Sequence, residues 1–216
     1  MLALLEGLDD IVKRVYAHVA AIDEAREEAF RLSREVVRAA STTIKHMHRG
    51  ELDEARARLA ETGELVGRML AAVADYPQLR YGGFVVDAEK EYAEAALVVA
   101  AITGERAPGP DDLGVDEVAW LNGLAEVVGE LRRHVLDLIR NGRAQSAEGY
   151  LALMEDIYLY AVSFDYPNAV TAGLRSRTDA ARGLLERARG ELTMSLKQDE
   201  LTRRIASLQE DLKEHS

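Results

Sequence analysis

The sequence contains no cysteine, which excludes disulfide cross-links, thiolate nucleophiles and thiolate metal ligands together. Proline is nearly as scarce, at four in 216 residues, and aromatic side chains make up only 6%. No apolar run approaches the roughly 20 residues of a membrane span, so no partnership with a membrane is expected. The opening stretch MLALLEGLDDIVKRV lacks the charged start, apolar run and cleavage site of a signal peptide, and a cytoplasmic protein is expected. Cations are outnumbered as well: 27 Lys and Arg stand against 38 Asp and Glu, a formal net charge of −11. That balance argues against a surface coated broadly for phosphate binding, yet leaves room for one local basic face.

What is abundant is alanine, leucine, glutamate and arginine, the composition of a mostly helical chain. Helical periodicity runs from about Leu2 to His48, where Gly50 supplies a stop, and a second helix follows to about Ala74. Residues 75–83 read as a turn, with Pro77 and two consecutive glycines as breakers. A third helix ends near Thr103–Gly104, and residues 103–116 form the clearest loop. The fourth helix covers roughly 116–140 and ends at Asn141-Gly142; the fifth runs from about Ser146 to Val162. Pro167 restarts the chain and a last helix extends toward residue 213. In its C-terminal extension, about 194–213, Leu201, Ile205, Leu208 and Leu212 recur at heptad-like spacing, a seam for a neighbouring helix. The expectation is one all-α domain over residues 1–216, built from six or seven helices.

The third helix contains EKEYAEAALVVA, residues 89–100. At about 100° per residue, Glu91 and Glu94 share a face with Asp87, Val98 and Ile102. Branched apolar residues normally face a core, and a buried carboxylate must be neutralised, paired or bound to a cation. Glu89 lies about 160° around the helix from Glu91, so Glu89→Gln is expected to leave any activity of that face near wild type. On the fourth helix Trp120, Leu124, Leu131, Val135 and Leu138 form an apolar side, with Glu126 and Glu130 opposite, one turn apart. Taken alone, that pair reads as a solvent face partly balanced by Arg133. Combined with Glu91 and Glu94, it reads as a carboxylate cage for Mg²⁺ or Mn²⁺, the equipment for hydrolysing phosphodiesters. A di-iron centre fails on spacing, because it needs Glu-x-x-His and His134 lies four residues after Glu130. Phosphate-binding loops, dinucleotide fingerprints and zinc-like histidine clusters do not occur.

On the first helix Arg31, Arg34, Arg38, Lys45 and Arg49 fall within an arc of roughly 80°. One reading is a track for a nucleic-acid backbone; the other is a solvated face ion-paired to an acidic neighbour. His46 and His48 read as surface polar residues. Arg175, Arg177 and Arg182 offer an alternative basic track.

Four stretches occur in an order that resembles the translin and translin-associated factor X family: LSREVVRAASTTIKHMHRGELDEA, EYAEA, WLNGLAEVVGELRRHVLDLIRNG and GLRSRTDAARGLLERARGELT. Together they span about residue 30 to residue 193, and the last is the most specific. The resemblance is to short archaeal members. It implies a translin-like α-α superhelix or bundle of about seven helices, a closed hollow homo-octamer, and binding of RNA or single-stranded nucleic acid. In the factor X branch it further implies a metal-dependent endoribonuclease site, matched here by Glu91, Glu94, Glu126 and Glu130 as catalytic metal ligands. One position departs from the pattern: Glu126 stands where the family usually has Asp, which extends that carboxylate by one methylene. The alternative is a non-catalytic nucleic-acid-binding oligomer of the translin type.

Overall fold

A computed structural model describes residues 7–214, so the expected helix start at Leu2 lies outside the described residues. In order, the elements are α1 (Leu8–Arg49), α2 (Leu52–Ala72), α3 (Pro77–Arg80), α4 (Gly83–Thr103), α5 (Pro110–Leu113), α6 (Glu117–Arg140), α7 (Ala144–Val162), α8 (Asn168–Thr171) and α9 (Leu174–Glu214). The described residues contain no strand. The six long helices are the expected ones. Three single turns, α3, α5 and α8, occupy segments that read as turn or loop, and α3 and α5 each start on a proline. Pro is tolerated there because the first helical N–H has no intrahelical acceptor to lose. Gly50 (φ 76°) and Gly104 (φ 73°) end α1 and α4 in the left-handed region, which only a residue without Cβ enters at little cost.

The residues gather into two compact units, with the division between Trp120 and Leu121, inside the unbroken helix α6. In the first unit α4 is the central element, buried almost continuously from Ala88 to Ala100. Val85, Ala88 and Ala93 of α4 meet Leu32 and Val36 of α1 and Val66 and Met69 of α2 in one apolar core. Gly63 lets α2 close on α4: a Cβ there would lie 2.8 Å from the Tyr92 hydroxyl. In the second unit the rest of α6 packs with α7, α8 and α9. Asn122 donates to the Thr171 carbonyl at 2.9 Å, His134 meets Tyr150 edge to face at 4.6 Å, and Arg132 pairs with Glu191 at 2.7 Å.

Two long helices carry apolar residues that neither core uses. Ile11, Val12, Val15 and Val19 of α1 are half exposed, and so are Leu201, Ile205 and Leu208 in the seam of α9. Among the described residues no helix is long and apolar enough to cross a membrane.

Candidate functional site

Because α4 is the buried central helix, any carboxylate on its acidic face starts close to the core. Glu94 is 8% exposed, and Glu91, three residues earlier on the same face, is half-buried. Lys90 holds the first of these, with Nζ 2.9 Å from Glu91 Oε1. On α6, Glu126 is half-buried and accepts a hydrogen bond from Arg177 Nε at 2.7 Å. Glu91, Glu94 and Glu126 form a cluster in which one carboxylate oxygen from each lies within 4.8 Å of the others, an arrangement that could hold a metal ion. Glu130 stands one turn further along α6, half-buried and outside that group of three.

Arg177 is itself seated by unusual backbone. Ala172 adopts a left-handed conformation (φ 48°) and turns its carbonyl to accept from Arg177 Nη1 at 3.0 Å. Gly173 follows at φ 93°, and a Cβ on it would come within 2.8 Å of the same nitrogen. The Gly-Leu-Arg stretch is therefore shaped to pass the guanidinium toward Glu126. Arg177 figured in the sequence only as one cation of an alternative track, and Lys90 was not singled out. The available signal was that a crowded acidic face on a buried helix requires counter-charges nearby.

Glu89 stands outside the group formed by Glu91, Glu94 and Glu126 and has a structural place of its own. It does point away from the acidic face, but its side chain is fully buried and receives both Arg80 terminal nitrogens at 2.8 Å. Its Oε1 also accepts the Asp116 N–H at 3.1 Å. Asp116 in turn caps α6, accepting from the Val118 and Ala119 amides at 2.9 and 3.2 Å. Glu89 thus ties α3 and the first turn of α6 to α4. It fixes where the helix bearing Glu126 begins. Burial pushes its carboxyl above the usual range, against the opposing pull of Arg80 and the Asp116 amide.

The basic arc on α1 divides. Arg31 donates to Glu28 at 2.7 and 2.9 Å and also pairs with Glu35, so it is ion-paired on both sides at the surface. The Arg31 guanidinium in turn holds the Glu28 carboxyl below its ordinary range. Arg34, Arg38, Lys45 and Arg49 are exposed. His46, expected at the surface, is half-buried with Nδ1 2.5 Å from the Glu51 carboxylate.

No protein-family model matches the chain. It is 30% identical over 194 residues to an uncharacterized protein of Methanocaldococcus jannaschii, covering 89% of this chain and 86% of that one. Among solved structures it is similar to AfC3PO, known from a crystal structure and from the structure of a complex with duplex RNA. The identity is 32% and the TM-score 0.81, over 87% of this chain and 97% of that one. Apo-NeC3PO shares the fold at 20% identity and a TM-score of 0.78, over 85% of this chain and 96% of that one.

Proposed function

The chain belongs to the translin family, and from that premise we propose that it is a metal-dependent endoribonuclease hydrolysing RNA phosphodiesters inside a hollow homo-oligomer. The observation that carries the proposal is the carboxylate cluster of Glu91, Glu94 and Glu126. Its donor set is all oxygen and all anionic, which suits Mg²⁺ or Mn²⁺ and disfavours softer ions. Oxygens on opposite sides of a Mg²⁺ ion are about 4.2 Å apart, twice the ligand distance of about 2.1 Å. Glu130 is the proposed fourth ligand, one turn from Glu126.

A divalent cation held there supplies Lewis acidity toward a phosphodiester and toward water. The chain's own residues prepare the place. Lys90 pairs with Glu91 and Arg177 with Glu126, and these two cations offset the repulsion among three acids. Arg34, Arg38, Lys45 and Arg49 grip the RNA backbone, in line with the duplex RNA bound by AfC3PO. The exposed apolar faces of α1 and α9 support assembly, and a closed octamer is the form proposed.

A second reading, a non-catalytic single-stranded nucleic-acid-binding oligomer, is favoured by one observation. Lys90 already pairs with Glu91, and Arg177 with Glu126, without any metal. Labelled RNA incubated with the pure protein in Mg²⁺, Mn²⁺ or chelator separates the two. Metal-dependent cleavage leaving 3′-hydroxyl ends supports the nuclease. RNA binding with no cleavage in either metal decides for the second reading, and a 2′,3′-cyclic phosphate product refutes the metal mechanism.

A further inference from the structure

Two phenylalanines border the basic track of α1: Phe84 packs on one side against the apolar core of the first unit, and Arg26 lies over the Phe30 ring at 5.9 Å. Phe30 of α1 is 39% exposed and meets Phe84, in the first turn of α4, edge to face at 5.7 Å. With Arg34, Arg38, Ser41 and Asp87 they line a groove of about 470 Å³ within the first unit. The lining combines flat apolar rings, two exposed cations and one exposed carboxylate. An apolar helix from a partner protein would leave those charges unsatisfied, and a bare phosphate would leave the rings unused. A nucleotide uses all three, having an aromatic body, polar ring edges and anionic flanks.

The groove also has a direction. Asp87 precedes Glu91 by four residues on α4, so it lies about 6 Å back along the helix axis and on nearly the same face. That is the scale of one nucleotide step in an extended strand. We propose that this groove is a base-binding subsite: it takes one unstacked nucleobase of an RNA strand, next to the phosphodiester presented to the carboxylate cluster. The base lies against Phe30 and Phe84, its flanking phosphates meet Arg34 and Arg38, and Asp87 accepts a hydrogen bond from a ring-edge amino group. A fully paired base cannot enter the groove, so a duplex of the kind AfC3PO binds would be held here by its backbone alone, and the subsite serves a strand with an unpaired nucleotide at the cleaved step. The proposal rests on the RNA reading above and adds to it the place where a base is held.

The test uses the full chain in chelator, so that binding is read without cleavage. A fluorescent eight-nucleotide RNA is compared, by anisotropy, with a series in which one residue at a time is abasic, and with the same RNA as a duplex. In the wild-type protein one abasic position should weaken binding roughly tenfold, the scale of one lost base–aromatic stack, while the others change it little. In Phe84→Leu, which keeps apolar bulk but loses the flat ring, that penalty should shrink to about twofold or less. Phe30→Leu, at a half-exposed position where folding is not at stake, should do the same. The duplex should bind more weakly than the single strand. Uniform tolerance of abasic residues, or an unchanged penalty in both variants, overturns the subsite while the RNA reading stands. Absence of any RNA binding by the wild-type protein overturns the RNA reading and the subsite together.

Discussion

Arg80→Ala should destabilise the first unit far more than an arginine at the edge of a helical turn normally would. Glu89 is fully buried and receives two 2.8 Å hydrogen bonds from the Arg80 guanidinium, plus one of 3.1 Å from the Asp116 amide. Removing the guanidinium leaves a buried, ionised carboxylate with a single neutral donor. Truncating one partner of a buried ion pair costs about 3–5 kcal/mol. Two charge-assisted hydrogen bonds at about 1.5–3 kcal/mol each lead to the same range independently. The Arg80 side chain is 23% exposed, which favours the lower end, about 3 kcal/mol. For a chain of this size that is a fall of roughly 6–12 °C in Tm, read by circular dichroism at 222 nm.

The loss should also depend on pH. Burial raises the Glu89 carboxyl above 4.5, and Arg80 pulls the other way. A carboxyl raised in the folded state contributes stability that is complete below its unfolded pKa and is lost as pH rises through the folded value. Without Arg80 the opposing pull vanishes, so the deficit relative to wild type should be smaller near pH 4.5 than at pH 7. The paired replacement Arg80→Met with Glu89→Leu should recover most of the stability, since it leaves no orphaned charge. A loss below about 1 kcal/mol, or one identical at both pH values, would refute the anchor.

Glu91→Gln and Glu126→Gln should each abolish metal-dependent RNA cleavage while RNA binding in chelator persists. Their metal-free stability should stay within about 1 kcal/mol of wild type, because relief of acid–acid repulsion is offset by losing the Lys90 or Arg177 partner. Gly173→Ala should cost about 1–2 kcal/mol in urea unfolding, since it forces a Cβ into a left-handed residue and against the Arg177 guanidinium. Arg34→Ala with Arg38→Ala should lower the salt dependence of single-stranded RNA binding by about 1.4 in log–log slope, two counterions at about 0.7 each. Arg31→Ala should leave that slope nearly unchanged, because Glu28 and Glu35 already neutralise it.

Some of this was open to reading along the chain. The α1 result is local: Glu28 and Glu35 lie three before and four after Arg31, the spacing at which helical side chains pair, so the division of the basic arc could have been seen in the sequence. The groove beside it could not, because Phe30 and Phe84 are 54 positions apart and meet only when α1 and α4 pack.

By itself, the sequence determined six long helices and the common face of Glu91 and Glu94, because a 3.6-residue period and glycine stops act between near neighbours in the chain. It did not reveal α3, α5 or α8, since one turn is too short to show a period. Only the tertiary structure decided what lies in each direction around a helix. Periodicity placed Glu89 on the far side from Glu91, but the burial of that side and its Arg80 and Asp116 partners came from packing. Arg177 reaches Glu126 across 51 positions for the same reason. A helix fixes the angle at which a side chain leaves its axis; the packing of other helices decides whether that angle leads to water, to a cation or to another acid.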